Sequence, residues 1–309
     1  MDIRMGLAAL SGEPSAVTIG FFDGVHRGHQ EVFRRTVEVA RASGLSAVAV
    51  TFDRHPREIY APGTEPLLLT TLDRKASLIG QLGLDTLVVL EFTEEFSRWS
   101  PEEFVDRVLV DDLGAGHVVV GSNFTFGHKA AGTLRTLVDL GAARGFSAEG
   151  MPLLAVDGRP VSSSSIREAL LSGDLAWPIE ALGRRFVVDG RVVRGAGRGV
   201  GLGWPTANLQ VPGRMLIPGQ GIYAGTATVD GAMFPAAISV GTNPTFGVEP
   251  LHVEAFLLDF DDDVLGTEMA VEFWERLRDE ERFDSPEQLS RQIEDDVERT
   301  RSIVRVPAG

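Results

Sequence analysis

Apolar and polar residues alternate along this chain in two rhythms that meet near Gly183. A short apolar run at residues 17–22 reads as a buried first strand. Asp23-Gly24 turns it, and residues 27–43 place Val32, Phe33, Thr36, Val37 and Ala40 at helical spacing. Up to about residue 155, apolar runs at 46–52, 86–92 and 117–121 alternate with helical patterns at 72–82, 101–110 and 133–144. Strand and helix in repeated alternation predict a mainly parallel sheet covered on both faces. Beyond Gly183 short strands are expected at 186–193, 222–229, 234–240, 252–258 and 268–274. With turns about every ten residues, they predict a small antiparallel β-barrel. A closing amphipathic stretch, 286–304, sets Leu289, Ile293, Val297 and Val304 on one helical face, which should pack on the barrel wall. The expected domains are 1–183 and 184–309.

The length, 309 residues, allows each domain its own core. Hydrophobic residues at 43% and charged ones at 24% fit a soluble globular protein. No apolar run approaches the length of a membrane span, and the first residues lack a basic start followed by an apolar stretch. A cytoplasmic protein with no membrane partner is therefore expected. Cysteine is absent, which excludes disulfides, thiolate nucleophiles and cysteine-ligated zinc. A net charge of −15 opposes nonspecific nucleic-acid binding and repels nucleotide phosphates unless arginines or a divalent metal gather locally. The expected partners are small molecules, and weak self-association stays open. Lys75 and Lys129 are the only lysines, and GxxxxGK[ST] is absent, so a nucleotide site here is not a P-loop of that type. Gly20, Gly24 and Gly28 do not make GxGxxG, which disfavours a nicotinamide dehydrogenase. The first domain is expected to be Rossmann-like without the dinucleotide fingerprint.

Chemistry concentrates at strand ends. Residues 17–29, VTIGFFDGVHRGH, carry His26 and His29 where a strand feeds a helix N-terminus. Free N–H groups and the positive end of the helix dipole make such a place a phosphate site. A two-histidine metal site is disfavoured there, because Arg27 lies between the histidines and no third ligand is evident. TFDRHP (51–56) and GSNFTFG (121–127) follow later strands, and the glycines of the second suit a loop whose backbone approaches a ligand. Phe124 and Phe126 also suit an ordinary core. A serine run at 162–165 opens a helix with Ile166, Leu170 and Leu171 as its apolar positions, so its hydroxyls can cap N–H groups or hold phosphate oxygens.

A second site is expected at residues 194–208, where five glycines and two arginines precede Thr206 and Asn208. Two residues apart on a strand, hydroxyl and amide face one side and can share a metal or a phosphate. Downstream, Glu254 stands between Val253 and the apolar 255–257. A strand glutamate among apolar neighbours needs a partner or a task, unless it is an edge charge facing water.

GFFDGVHRGH, TFDRHP, GSNFTFG and VSSSSIR resemble the nucleotidyltransferase signatures of the prokaryotic bifunctional FAD synthetases, which join riboflavin kinase to FMN adenylyltransferase. GWPTAN, GTNPTFG and RDEERFDS resemble the riboflavin kinase module of the same family. Arg54 departs from the family's usual proline, and Ser164 from its threonine. The resemblance implies two reactions, riboflavin with ATP giving FMN, and FMN with ATP giving FAD, both needing Mg²⁺. It implies catalytic roles for His26, His29, Asn208 and Glu254, with Glu254 the kinase base and Thr206 and Asn208 on the metal. Ligand contacts are implied for Gly20, Phe21, Asp23, Gly24, Asn123, Arg159, Ser162, Ser163 and Arg167 in the adenylylating half. Gly195, Gly197, Gly199, Gly203, Thr206 and Arg278 are their counterparts in the kinase half. Tyr60, Phe104 and Phe126 are expected around the isoalloxazine. Two rivals are a nucleotidyltransferase for another acceptor, such as pantetheine phosphate, and a flavin-binding regulator without turnover. The kinase-like half opposes the first, and the intact motif residues oppose the second.

Overall fold

The computed structural model describes residues 1–7, 13–195, 204–242 and 251–306. Gly197, Gly199, Gly203 and the 243–247 segment lie outside the described residues. The chain divides into two compact units, Met1–Pro66 with Thr70–Ser162, and Leu67–Leu69 with Ser163–Gly309. This division falls upstream of Gly183.

The first unit runs β1 (Asp2–Met5), β2 (Ser15–Ile19), α1 (Arg27–Ser43), β3 (Ser46–Phe52), α2 (Arg57–Tyr60), α3 (Leu72–Gly80), β4 (Thr86–Leu90) and α4 (Pro101–Phe104). It continues through β5 (Ala115–Gly121), β6 (Thr125–Phe126), β7 (Gly132–Thr133), α5 (Leu134–Arg144), β8 (Ser147–Met151), β9 (Ala155–Val156) and β10 (Arg159–Pro160). Six strands form one parallel sheet in the order β1-β4-β3-β2-β5-β8. Alternation within each strand sorts residues by size between the faces. Ala16, Ala47 and Ala49 lie with Phe33, Ala40 and Ile79 of α1 and α3, while Val17, Val48 and Val50 lie with Phe104, Leu109 and Leu137 on the other face. The strand order reverses between β2 and β5, and open sheets of this kind bind ligands beyond the carboxyl ends at such a switch point.

Two expectations are corrected. The run at 17–22 is not the first strand, because β1 precedes it and β2 ends at Ile19; Phe22 is left-handed (φ 54°), which no strand tolerates. β8 was not anticipated. Its residues are only half-buried, and its side chains build a polar tie instead of a core: His117 lies 2.6 Å from Ser147 and 3.2 Å from Glu149, which Arg35 of α1 also holds at 2.7 Å.

The second unit contains α6 (Ser163–Leu171), α7 (Ala176–Leu182), β11 (Phe186–Val193), β12 (Ala207–Gln210), β13 (Gly221–Val229), β14 (Ala232–Gly241), β15 (His252–Leu257), β16 (Glu268–Arg278) and α8 (Pro286–Ile303). The six strands close into an antiparallel barrel, β11-β12-β15-β14-β13-β16. The serine run does open α6, but Leu171 is exposed and Ala169 takes its place beside Ile166 and Leu170. Pro286 begins α8 behind a Ser285 cap, and the helix packs on β13, β14 and β16. Its inner face includes a carboxylate, Asp296, which Arg278 of β16 grips through Nε (3.1 Å) and Nη2 (2.7 Å). Both side chains are largely buried, so each charge depends on the other. Among the described residues no helix is long and apolar enough to cross a membrane.

Asp296→Ala should lower the stability of the chain by roughly 3–5 kcal/mol, because it strands the Arg278 charge. Replacing both residues together by Met and Leu should recover most of that loss. Urea unfolding of the three proteins, followed by circular dichroism, checks both expectations.

Candidate active sites

The turn after β2 is built on strained backbone. Phe22, Gly24 and Val25 all have positive φ (54°, 78° and 42°), and for a β-branched residue such as Val25 this conformation costs about 1–3 kcal/mol. Four tethers hold it. Asp23, buried, accepts through Oδ1 from the Thr70 N–H (3.1 Å) and hydroxyl (3.3 Å), and the Gly24 N–H donates to that same hydroxyl oxygen (3.2 Å). Gln30 Nε2 donates to the Val25 carbonyl at 2.9 Å. The Phe22 ring packs on Phe33 (4.5 Å) and His29 (5.2 Å). The fourth tether is Lys75 of α3, whose Nζ donates to the Phe21 carbonyl (2.8 Å), lies 3.3 Å from Thr51 Oγ1 and sits 4.2 Å above the Phe21 ring. Burial pushes the Lys75 amine down to about 8, against the opposing pull of Asp23.

That turn delivers His26 to the N-cap of α1. Its Nδ1 accepts from the His29 N–H at 3.3 Å, and the two rings stack at 3.5 Å. The expectation of open helix N–H groups is modified here, because the third one is already taken by an imidazole. An Nδ1 used as acceptor leaves the ring proton on Nε2, so His26 is set to donate away from the helix. Gly28 belongs to this geometry, since a Cβ there would press on the His26 ring at 3.2 Å.

Beside the turn lies a cavity of about 670 Å³, of the size small-molecule sites have. Its walls include Phe52, Phe92, Phe96, Phe104, Phe124 and Phe126, with Tyr60, His128 and Lys129 also lining it. Tyr60, Phe104 and Phe126 thus share one cavity, the first exposed and the other two buried. Asn123, exposed, follows β5 beside Gly121, and Arg159 stands in β10. The serine run is split by the unit division: Ser162 ends the first unit, while Ser163 and Arg167 belong to the second, where Arg167 Nε donates to the Leu67 carbonyl (2.6 Å).

In the barrel, Asn208 and Glu254 are directly opposite on the paired strands β12 and β15, and Thr206 is two residues from Asn208. All three therefore share one face, with Val253 and Ala255 turned into the core. The Thr206 hydroxyl donates to Glu254 Oε2 at 2.9 Å. Gly195 lies so close to Asn208 that a Cβ would overlap its amide. Arg194, Gly195, Thr206 and Asn208 line a cavity of about 450 Å³ together with Phe260, Leu265 and Asp261 to Asp263. Glu280 occupies the space where Gly241 would carry a side chain. Burial pushes its carboxyl up, Arg278 opposes this, and nearby Glu254 adds to the rise. Arg278 has Nε and Nη2 on Asp296 and Nη1 on the Asp279 carbonyl (3.0 Å), so much of its guanidinium is already committed.

Sequence reasoning missed Lys75, Thr70 and Glu280. For Lys75 a signal existed, since Leu72, Lys75, Ala76 and Ile79 have one-face helical spacing, and a lysine on an apolar face is a group held for a reason.

Between its lowered value and the ordinary 10.5, Lys75 is neutral in the folded chain and charged in the unfolded one. The unfolded chain then holds the extra proton, so this group adds stability as pH rises from 8 to 10.5, by about 3 kcal/mol in all. Lys75→Met should lack that rise. Unfolding free energies of parent and variant at several pH values across this window should therefore diverge, and parallel curves would contradict the buried, shifted amine.

Comparison with known proteins covers both units. A family model described as FAD synthetase matches residues 9–165, and one described as riboflavin kinase matches residues 182–304. A bifunctional riboflavin kinase/FMN adenylyltransferase of Pseudomonas fluorescens is 39% identical over 306 residues, covering 98% of both chains. Proteins of that name from Bacillus subtilis (35% identical, 91% of this chain and 90% of the other) and Escherichia coli K12 (32%, 95% of each) are similar along nearly their whole length. A solved Streptococcus pneumoniae structure, named as a macrolide-efflux protein, superposes with a TM-score of 0.87 at 29% identity, over 97% of this chain and 99% of that one.

Proposed function

The chain belongs to the bifunctional riboflavin kinase/FMN adenylyltransferase family, and on that premise we propose how its two sites divide the work. Riboflavin and ATP become FMN and ADP at the barrel, within residues 184–309, and FMN with a second ATP becomes FAD and pyrophosphate at the parallel-sheet domain, within residues 1–183. The observation that carries this reading is the shared face of Thr206, Asn208 and Glu254, a hydroxyl, an amide and a carboxylate gathered beside a cavity.

At the barrel, Glu254 takes the proton of the ribityl 5′-hydroxyl as its oxygen attacks the γ-phosphorus and ADP leaves. Thr206 holds Oε2 of that carboxylate, which leaves Oε1 for the substrate. The same bond uses the only hydroxyl hydrogen of Thr206, so the lone pairs of that oxygen are directed elsewhere and can take a cation. Thr206 Oγ1 and Asn208 Oδ1 are hard oxygen donors, and these residues fit Mg²⁺, which when bound neutralises charge on the terminal phosphates. The close approach of Gly195 fixes the Asn208 amide.

At the parallel sheet, the FMN phosphate is already a nucleophile and attacks the α-phosphorus as pyrophosphate departs. No protein base is required. His26, with its proton on Nε2, and His29 donate to the oxygens around the crowded α-phosphorus at the start of α1. The Phe-lined cavity suits the flat isoalloxazine, with Tyr60, Phe104 and Phe126 as contacts. Gly20, Phe21, Asp23 and Gly24 shape the turn, and Asn123, Arg159 and Ser162 are proposed for the triphosphate, as Arg278 is for the kinase ligand. Both reactions consume ATP, which supports the cytoplasm as the place of work. The riboflavin kinase match argues against a transferase for some other acceptor.

Riboflavin with Mg-ATP, resolved by chromatography, should yield FMN and then FAD; failure to form either would sink the reading in favour of a binding regulator. Glu254→Gln should cut FMN formation by about 10²-fold or more and leave FAD formation from supplied FMN intact. His29→Ala should give the converse pattern, with a loss of roughly 10²-fold in FAD formation only. Gly195→Ala should lower FMN formation by displacing the Asn208 amide, without touching the adenylylation of FMN.

A further inference from the structure

β1 is the outer strand of the parallel sheet, and no described strand pairs with its far side. The N–H groups of Asp2 and Gly6 bond to Asp85 and Val89 on the β4 side (2.8 and 2.9 Å). Alternation along a strand then turns the N–H and C=O groups of Ile3 and Met5 outward. Met1, Ile3, Met5 and Leu7 share one face of this edge and are 43%, 52%, 65% and 44% exposed. Asp2 and Arg4 stand on the other face, bonded to each other at 2.8 Å. A flat outer strand with an apolar face, no proline and no bulge is a template for another strand.

We propose that this edge is an interface between two copies of the chain, joined by antiparallel pairing of β1 with β1 about a two-fold axis at Ile3. The charges choose the occupant and the register. With Ile3 opposite Ile3, Met1 meets Met5, and Asp2 of each copy faces Arg4 of the other. Sliding the pair one step either way within the same alternation sets Arg4 against Arg4 or Asp2 against Asp2, and like charges directly opposite are destabilising. In the favoured register Ile3 and Met5, whose polar groups point outward, fall at the hydrogen-bonded positions. Asp2 and Arg4 fall at the non-hydrogen-bonded ones, where opposed side chains come closest. The apolar residues of the two copies cover one another on one face, and two six-stranded sheets become one continuous sheet. The pairing is isologous, so it closes at two copies and leaves no free β1 edge.

Sedimentation velocity of the full chain over a wide concentration range tests this. The parent should pass from monomer to dimer and stop there. Arg4→Asp, which sets carboxylates opposite each other twice, should weaken dimerisation roughly tenfold or more, and adding Asp2→Arg to it should restore the dimer. Ile3→Pro removes an N–H that β4 does not use and should abolish pairing while circular dichroism stays native. Hydrogen exchange should show the Ile3 and Met5 amides protected only at high concentration. A parent that stays monomeric throughout, or a dimer indifferent to both Arg4→Asp and Ile3→Pro, would overturn the proposal.

Discussion

Left-handed backbone does not hold itself, and at the turn after β2 the burden falls on a lysine buried from below. The Lys75 ammonium is stripped of water to reach the Phe21 carbonyl, and it accepts that cost because the carbonyl, the Thr51 hydroxyl, the Phe21 ring and the nearby Asp23 charge surround it. Without such anchors Phe22 and Val25 would relax toward ordinary φ, and His26 would leave the cap of α1. One of the tethers behind the His26 cap therefore comes from a different helix, α3, across the end of the sheet. Strain of this kind persists where the surroundings over-determine it, and at the switch point of a parallel sheet it aims side chains at one spot.

The barrel reaches comparable precision by another route. Asn208 and Glu254 stand opposite each other on paired strands, so their spacing follows from register instead of from a strained turn, and Thr206 lies just ahead of β12. Closure of the sheet makes slippage of any one strand impossible without breaking two ladders. What remains adjustable is side-chain orientation, and the Thr206–Glu254 hydrogen bond and the crowding of Asn208 by Gly195 restrict it. The first site is held by tethers, the second by weaving.

Much of this was readable from residue order alone. β3 and β11 begin and end where alternation placed them, at Ser46–Phe52 and Phe186–Val193, because buried strands leave an unbroken apolar or period-two record. β8 left none, since Ser147 and Glu149 serve a polar tie at a sheet margin. The His26 and His29 pair was legible as a constellation, but the stacking of its rings and the loss of one helix N–H to Nδ1 were not, because both depend on the left-handed turn. Lys75 was visible as a scarce residue type on an apolar helix face, and no more. Its meaning required knowing that α3 passes beneath Phe21, a contact across 54 positions. Arg278 was read as a ligand contact, and its Nε and Nη2 also bond Asp296 on α8, an alliance that no local pattern records.

The closed ring of strands also imposes an order of events on synthesis. The seam of the barrel joins its first strand to its last, Phe186 against Phe273. Nothing shorter than the stretch through Phe273 can shut it, and α8, which Asp296 fastens to Arg278, must wait longer still. The parallel sheet has all six of its strands by Met151. A ribosome making this chain should therefore release a nucleotidyltransferase sheet already able to fold while the barrel strands remain unjoined, so the late, non-local seam governs how long apolar surface stays open to chaperones and proteases.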